Sequence, residues 1–177
     1  MSRLSRIKNQ SNIVFKSKFL HNLSTLERYE FLQLCHRRRY KQGEYIFYRN
    51  DPGTGMYFIE EGQIELTVDV GDDSEEWAPG LLLDPPDSFG ALSIGYDLRR
   101  KSSARCTEDC SLLGFFKPDF ELLRDRHPNI AVKFLQTLSN IALRQLEKTT
   151  NRLTEYTDLQ TALTIQFECY YEDPEED

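Results

Sequence analysis

The chain has 177 residues, of which 39% are hydrophobic, enough for one domain with flanking helices and a real core. Its formal net charge of −7 disfavours nucleic acid as a partner, because such binding depends mostly on neutralising phosphates. No apolar run is long enough to span a membrane, and the first residues lack the hydrophobic stretch of an export signal. We therefore expect a cytoplasmic protein whose four cysteines form no disulfide scaffold.

The charge is unevenly distributed along the chain. Residues 1–18 contain five basic side chains and no acid, whereas residues 166–177 are rich in aspartate and glutamate. Such terminal segments are usually solvated. We interpret residues 1–18 as a basic N-terminal lead and residues 166–177 as an acidic tail.

A helix is predicted near the N-terminus. Ser24 and Glu27 have the spacing of a capping box, in which each side chain accepts from the other residue's backbone amide. The helix should run to about Cys35. The basic run Arg37–Arg39 then falls at the end of this helix, where it compensates the dipole and is solvated, so we do not interpret it as a nucleic-acid patch.

Short strands are predicted through the middle of the chain. Their segments are rich in aromatic and β-branched residues and are separated by turn residues. In residues 63–70, Ile64, Leu66, Val68 and Val70 alternate strictly and should face one way. The expected strands are 45–48, 56–59, 63–70, 81–83, 103–106 and 111–116.

Helices are predicted again after the strands. Pro118 suits the first turn of a small helix, and Pro128 begins a helical stretch to about Leu163. The residues of this stretch that recur every seven positions are Leu135, Ala142, Thr149, Tyr156 and Leu163. This imperfect heptad seam could pack on its own chain or pair with a second subunit.

The predicted element order indicates an α+β protein: a β-roll (a double-stranded β-helix, jelly-roll-like) flanked by N-terminal helices and a long C-terminal helix. We place the roll at 19–127 and a C-terminal lid or dimerisation helix at 128–165.

One segment has the pattern of an anion site. Phe89-Gly90-Ala91-Leu92-Ser93 places a glycine beside small residues before a short helical turn, where consecutive backbone N–H groups can cradle a phosphate. Arg100 follows, and an arginine on the facing end of the loop supplies a bidentate counter-charge.

From about Phe19 to about Lys148 the sequence resembles a cyclic-nucleotide-binding domain, as in catabolite activator proteins and kinase regulatory subunits. The matching features occur in order along the chain. They are the hairpin Asp51–Gly62, the cassette opening Phe89-Gly90, the cassette arginine Arg100, the pair Asp109-Cys110 and the lid-helix start Pro128.

The resemblance implies a cyclic nucleotide ligand such as cyclic AMP or cyclic GMP, no other cofactor, and a set of binding residues. Arg100 would pair with the cyclic phosphate, and the base would lie near the lid helix. The implied set is Phe89, Gly90, Ala91, Leu92, Ser93, Arg100, Lys101, Ser102 and Gln145. The family's cassette has a glutamate for the ribose hydroxyl where this chain has Ala91, and Arg99 replaces its usual proline. The resemblance therefore implies that the contacts to the phosphate are kept and that the contact to the ribose hydroxyl is lost.

The sequence gives little support to the hypothesis that the protein is an enzyme. His21, His36 and His127 are far apart, which argues against a metal site and against a cupin enzyme. The pair Ser102-Ser103 has no nearby histidine and aspartate for nucleophilic catalysis.

The sequence thus predicts a non-catalytic sensor that binds a cyclic nucleotide or a related anion, forms a homodimer through its C-terminal helix, and acts on an effector that the sequence does not identify. Only fourteen residues follow Leu163, too few for a helix-turn-helix reader, so we expect no transcriptional control within the chain. The alternative is a degenerate domain without ligand that acts as a dimeric scaffold for protein partners.

Overall fold

The computed structural model describes residue 13 and residues 16–68, 80–95 and 98–168. Most of the basic lead and most of the acidic tail lie outside these residues. The described elements, in chain order, are α1 Thr25–Gln33, β1 His36–Tyr40, β2 Tyr45–Phe47, β3 Gly55–Glu61, β4 Ile64–Thr67, β5 Leu81–Leu83, β6 Ser88–Phe89, α2 Leu92–Gly95, β7 Ser103–Cys106, β8 Cys110–Phe116, α3 Lys117–Arg126, α4 Pro128–Tyr156 and α5 Leu159–Glu168.

The strands form two four-stranded sheets. One has the order β1-β8-β3-β6 and the other the order β2-β7-β4-β5, and neighbouring strands are antiparallel in both. A cluster of buried residues from both sheets, including Ile59, Ile64 and Leu112, forms the core of the roll. The α+β β-roll predicted from the sequence is confirmed.

Strand β3 is buried on both faces, which explains its nearly continuous apolar sequence. Tyr57 and Ile59 belong to the core cluster of the roll. Phe58 points the other way and packs against Phe19 and Phe31 from the N-terminal segment, with ring centroids 6.0 and 5.8 Å apart. One strand therefore contributes to the interior of the roll and to an aromatic layer. This layer consists of Phe19, Phe31, Phe58, Phe115, Phe120 and Phe134.

The capping box predicted for α1 is confirmed. The Glu27 amide donates to Ser24 Oγ at 3.3 Å, and the Ser24 amide donates to Glu27 Oε2 at 2.8 Å. Glu27 also accepts from Lys133 Nζ of α4 at 2.6 Å, and this contact is the main reason that the pKa of Glu27 is lowered. The same polar group thus begins one helix and holds it to another.

The start of α4 is anchored by aromatic packing. The Phe134 ring is 1% exposed. Its centroid lies 5.2 to 5.7 Å from the rings of Phe19, Phe31, Phe115 and Phe120. Such ring pairs add to the free energy of apolar burial. The first turns of α4 therefore belong to the aromatic layer.

The prediction that Arg37–Arg39 end a helix is wrong, because α1 ends at Gln33 and the three arginines lie in β1. Their strand, β1, pairs with β8, whose apolar residues are buried in the sheet. Arg37 forms a bidentate ion pair with Glu60, with Nε–Oε2 and Nη2–Oε1 distances of 2.6 and 2.7 Å. Glu60 is only 5% exposed and also accepts from Ser111 Oγ at 3.0 Å.

The single helix predicted from Pro128 to about Leu163 is wrong, because α4 ends at Tyr156 and α5 begins at Leu159. Asp158 lies between them, and its carboxylate accepts from the Thr161 amide at 3.0 Å and the Thr161 hydroxyl at 2.6 Å. This side chain caps a new helix. The heptad seam is therefore interrupted before Leu163.

The predicted strands 45–48, 56–59, 81–83, 103–106 and 111–116 are present with small changes at their ends. The predicted strand 63–70 is only partly right, because β4 ends at Thr67 and Val68 is 57% exposed. Val70 lies outside the described residues. Strand β6 was not expected, since its two residues carry no periodic signal.

The described residues fall into two compact units that divide between Leu138 and Ser139. The first contains the roll and the aromatic layer. In the second, the Thr150 hydroxyl donates to Gln166 Oε1 at 3.1 Å, which places α5 against α4 as a helical hairpin. None of the helices that the structure describes has the length and apolarity needed to cross a membrane.

Two of the cysteines lie in the roll. Cys106 of β7 is fully buried and Cys110 of β8 is 4% exposed, and both are free thiols. Burial, followed by a hydrogen bond with Cys110, raises the pKa of Cys106 to about 12. Its thiolate is thus strongly disfavoured in the folded protein.

This pKa predicts how stability changes in alkaline solution. The unfolded thiol ionises near 9.0 and the folded thiol near 12, so the unfolded state binds fewer protons in that window. The free energy of unfolding should fall between these pH values, by at most about 1.4 kcal/mol per pH unit from this group. Urea denaturation from pH 8 to 10.5 measures the slope. The free energy of unfolding of Cys106→Ala should change less steeply with pH. An equal slope in the variant would show that Cys106 does not cause the pH dependence.

Candidate anion-binding site

The site begins where β6 leads into α2. Phe89 is paired with Tyr57 of β3, which fixes the end of β6 in the sheet. Gly90 follows with a φ of +77°, a conformation that L-residues with side chains rarely adopt. A Cβ atom at Gly90 would lie 2.5 Å from Arg100 Nη1, so this glycine is needed both for its backbone conformation and for space.

The backbone of Arg100 is held by the loop before β3. Its amide donates to the Asp51 carbonyl at 2.9 Å, and its carbonyl accepts from the Asn50 amide at 2.8 Å. The Gly53 amide also donates to the Leu98 carbonyl at 3.1 Å. Arg100 is therefore fixed with its side chain buried, only 6% exposed.

The Arg100 guanidinium contacts three oxygen atoms of the protein. Nη1 donates to Ser93 Oγ at 3.0 Å and to the Gly90 carbonyl at 3.3 Å. Nη2 donates to the Gly55 carbonyl at 2.7 Å. The glycine turn, the short helix α2 and the start of β3 thus meet on one side chain.

An aromatic ring covers one face of the guanidinium. The Arg100 Cζ atom lies 4.2 Å from the centroid of the Phe47 ring, a cation–π arrangement. The same ring packs near Tyr57 and Phe89, at 6.4 and 5.9 Å. These apolar surroundings desolvate the charge, and burial is the main reason that the pKa of Arg100 is lowered.

No carboxylate among the residues that the structure describes lies within ion-pair distance of Arg100, although the charge of Asp51 partly offsets the effect of burial on the Arg100 pKa. Arg37 shows the usual arrangement, because Glu60 neutralises it bidentately. A buried cation without a counter-ion is costly, since desolvation is not repaid by a nearby charge. Arg100 therefore has the surroundings of a residue that binds an anion.

The structure brings some of the predicted site residues together. Gly90, Ser93 and Arg100 are in direct contact. Phe89 is buried beside them, and Ala91 and Leu92 are half-buried in the same turn. Of the other predicted residues, Lys101 is exposed, Ser102 is half-buried, and Gln145 is exposed on α4 in the second unit.

Sequence reasoning missed two contributors to the site. The Gly55 carbonyl and the Phe47 ring both contact Arg100, yet neither residue is in the predicted ligand set. A signal for Gly55 did exist, because this residue lies in the hairpin Asp51–Gly62 that carries the family resemblance. No sequence signal pointed to Phe47.

Within the described ranges, no three histidine, cysteine, aspartate or glutamate side chains are grouped so as to hold a metal ion. The chemistry that the site offers is therefore that of a guanidinium, backbone amides and aromatic faces.

The site is thus a buried arginine that faces a glycine turn inside a β-roll. A family model described as "Cyclic nucleotide-binding domain" matches residues 37–127. The chain belongs to this family.

Individual relatives agree with the family match. The cyclic AMP receptor protein of Thermus thermophilus is 34% identical over 116 residues, covering 65% of this chain and 52% of that protein. The crystal structure of Thermus thermophilus catabolite activator protein matches with a TM-score of 0.65 at 30% identity, over 78% of this chain and 63% of that chain. A cyclic nucleotide-binding domain from Methylobacillus flagellatus matches with a TM-score of 0.67, over 86% of this chain and 84% of that chain. Its 15% identity shows the fold alone.

The chain spans about half the length of the Thermus receptor protein that it matches. The matched family is a binding domain, and the relatives named above are regulators or domains of this kind. That the whole protein lacks catalysis, and that it is cytoplasmic, stay predictions.

Proposed function

We propose that this chain is a non-catalytic sensor whose β-roll binds a cyclic nucleotide, or a related small anion, through Arg100. The observation that carries the proposal is the buried Arg100 charge, which has a glycine turn beside it and no paired carboxylate among the described residues. The Thermus relative, which is named for cyclic AMP, supports this ligand class. The other members of the predicted ligand set, including Lys101, Ser102 and Gln145, belong to the proposal at the level of sequence alone.

Binding of an anion here is favoured by the burial of the guanidinium. Charge-assisted hydrogen bonds are stronger in a water-poor environment than on a surface. The backbone amides at the start of α2 are further donors for a phosphate in the family arrangement. A ligand would thus replace the missing counter-ion of Arg100.

The response to the ligand is proposed to be a population shift. Ligand affects the protein only to the extent that it binds one conformation more tightly than another. α4 is the element through which such a shift is proposed to act, since its first turns are packed in the aromatic layer and its remainder belongs to the second unit.

A thermal-shift screen tests the proposed function. Cyclic AMP, cyclic GMP and cyclic dinucleotides are each added to the purified chain. A ligand at about one hundred times its dissociation constant should add about 2.7 kcal/mol to the free energy of unfolding. If none of these compounds raises the unfolding temperature at millimolar concentration, the sensor function is wrong for this ligand class.

A second candidate function is a dimeric scaffold that keeps the fold without a ligand. Two observations favour it. Ala91 lacks the carboxylate expected for the ribose, and the Arg100 side chain is already hydrogen-bonded to three oxygen atoms of its own chain. A scaffold should show no thermal shift with any cyclic nucleotide but should still assemble.

The second unit predicts a homodimer. Its helical hairpin buries Ala162, yet many of its large apolar side chains are exposed in the single chain. They are Leu143, Leu146, Tyr156, Leu159, Leu163, Ile165 and Phe167. Apolar faces of this kind usually mark an interaction surface. Light scattering at micromolar concentration should give about twice the chain mass.

A matched pair of variants tests where the dimer forms. Leu146→Lys places a charge in the predicted surface and should yield a monomer. Leu26→Lys changes a more accessible leucine of α1, which is 71% exposed against 44% for Leu146, and should leave the mass unchanged. A wild-type mass that stays at one chain at all concentrations would contradict the dimer.

A further inference from the structure

The loop between β2 and β3 lies against the segment that leads into β7. Pro52 and Arg99 form an antiparallel bridge. The Arg49 amide donates to Ser103 Oγ at 2.9 Å, and the amide and carbonyl of Arg100 are both bonded to the same loop. The two segments are thus held side by side by hydrogen bonds. We call residues 48–52 and 99–101 the tip.

The surface of the tip has an excess of positive charge. Arg49, Arg99 and Lys101 are exposed, and Asp51 is the one acidic residue of the tip. The Asp51 carboxylate accepts from the Tyr48 amide at 2.8 Å, whereas the Arg99 guanidinium donates to a backbone carbonyl of the loop. No carboxylate within the described ranges lies within ion-pair distance of Arg99 or Lys101. These two cations therefore stay unneutralised in a chain whose net charge is −7.

An exposed aromatic side chain lies beside these charges. Tyr48 is 56% exposed, and its ring stacks on that of Tyr45, with centroids 4.5 Å apart and 23° between the ring planes. Its backbone is also fixed, because the Tyr48 carbonyl accepts from the Asp51 amide at 3.2 Å. Tyrosine and arginine are enriched among binding hot spots, and a surface that is ordered before binding loses less conformational entropy. The tip therefore has the composition and the rigidity of a protein-interaction surface.

We propose that the tip is a docking surface for an acidic, extended segment of a partner protein. Carboxylates of this segment pair with Arg99 and Lys101, and an apolar or aromatic side chain between them packs on Tyr48. Nucleic acid is a poorer fit, because its affinity comes from neutralising many phosphates and the tip offers only a few exposed cations. This inference goes beyond the proposed function and requires no bound ligand.

The tip adjoins the candidate anion-binding site, because the loop that carries Tyr48 also holds the backbone of Arg100. A partner on the tip therefore contacts the residues next to the buried guanidinium. If an anion at the site changes the affinity for the partner, the partner changes the affinity for the anion by the same factor.

NMR titration of the full chain, without added nucleotide, tests the proposal. The probe is a short synthetic peptide of glutamates interrupted by phenylalanines. The amide resonances of residues 49–51 and 99–101 should shift, whereas those of Arg38 and Arg39, which are exposed basic residues of β1, should not. Tyr48→Ala and Arg99→Glu should each weaken binding of the peptide about tenfold.

Tyr29→Ala and Arg39→Glu are the matched controls, since they change a tyrosine of α1 that is 43% exposed and an exposed arginine of β1. Both should bind the peptide as wild type does. The proposal is overturned if no amide of the tip shifts, if the β1 amides shift as much, or if Tyr48→Ala and Arg99→Glu keep wild-type affinity. Tighter binding of a single-stranded oligouridylate than of the peptide would also overturn it, in favour of nucleic acid. None of these outcomes bears on the proposed function, which the thermal-shift screen tests separately.

Discussion

Replacing Arg100 with alanine should abolish cyclic nucleotide binding. The phosphate would lose its hydrogen bonds to a charged group, each worth about 1.5–3 kcal/mol, so the affinity should fall at least about a hundredfold. Calorimetric titration with cyclic AMP measures the change. The variant should remain folded, because it removes a buried charge that has no paired carboxylate among the described residues.

Arg99→Ala is the matched control for this experiment. Arg99 is exposed and donates to the Asn50 carbonyl at 2.8 Å, so its charge lies outside the buried site. Its affinity should stay within about twofold of wild type, since charges on the surface are screened by solvent. Wild-type affinity in Arg100→Ala would remove the basis of the sensor proposal.

Ala91→Glu distinguishes the sensor from the scaffold. If the missing ribose contact is the only defect of the site, this variant should bind cyclic AMP about tenfold more tightly than wild type. If neither wild type nor Ala91→Glu binds a cyclic nucleotide, the scaffold becomes the better function for the chain.

Replacing Glu60 with alanine should lower the free energy of unfolding by about 3–5 kcal/mol. The carboxylate is buried between Arg37 and Ser111, so its removal leaves a half-buried guanidinium without its partner. Urea denaturation followed by circular dichroism gives the change in stability.

Glu65→Ala serves as the comparison for Glu60→Ala. The Arg105–Glu65 pair has an N–O distance of 3.0 Å, but its side chains are 38% and 19% exposed. A pair that is open to solvent contributes about 0–1 kcal/mol. Equal losses in the two variants would show that burial of the Glu60 pair has no energetic consequence.

Local signals in the sequence predicted much of the fold. The Ser24–Glu27 capping box acts between residues three apart, and the structure has both of its hydrogen bonds. The aromatic and β-branched segments became strands because burial on a pleated sheet favours these side chains. The glycine and arginine of the site were found through their spacing and the family resemblance.

Long-range contacts account for the errors. Arg37 lies in a strand because β1 pairs with β8, and its charge is matched by Glu60, twenty-three positions away; no local pattern reports either partner. The interrupted C-terminal helix is the exception, because the cap at Asp158 acts on a residue only three positions away and was overlooked beside the recurring apolar residues. The Ser93 and Gly55 contacts with Arg100 arise from a chain reversal that brings three segments together.

Because of the packing of Phe134, backbone amides in the two parts of α4 should exchange with solvent at different rates. Its ring is locked among four other phenylalanines, so the amides of the first turns of α4 can exchange with solvent only when the aromatic layer opens. After Leu138 the helix belongs to a separate compact unit, whose amides we expect to exchange at a lower free energy of opening. We therefore expect the protection of backbone amides in α4 to change near Leu138, where the two compact units divide.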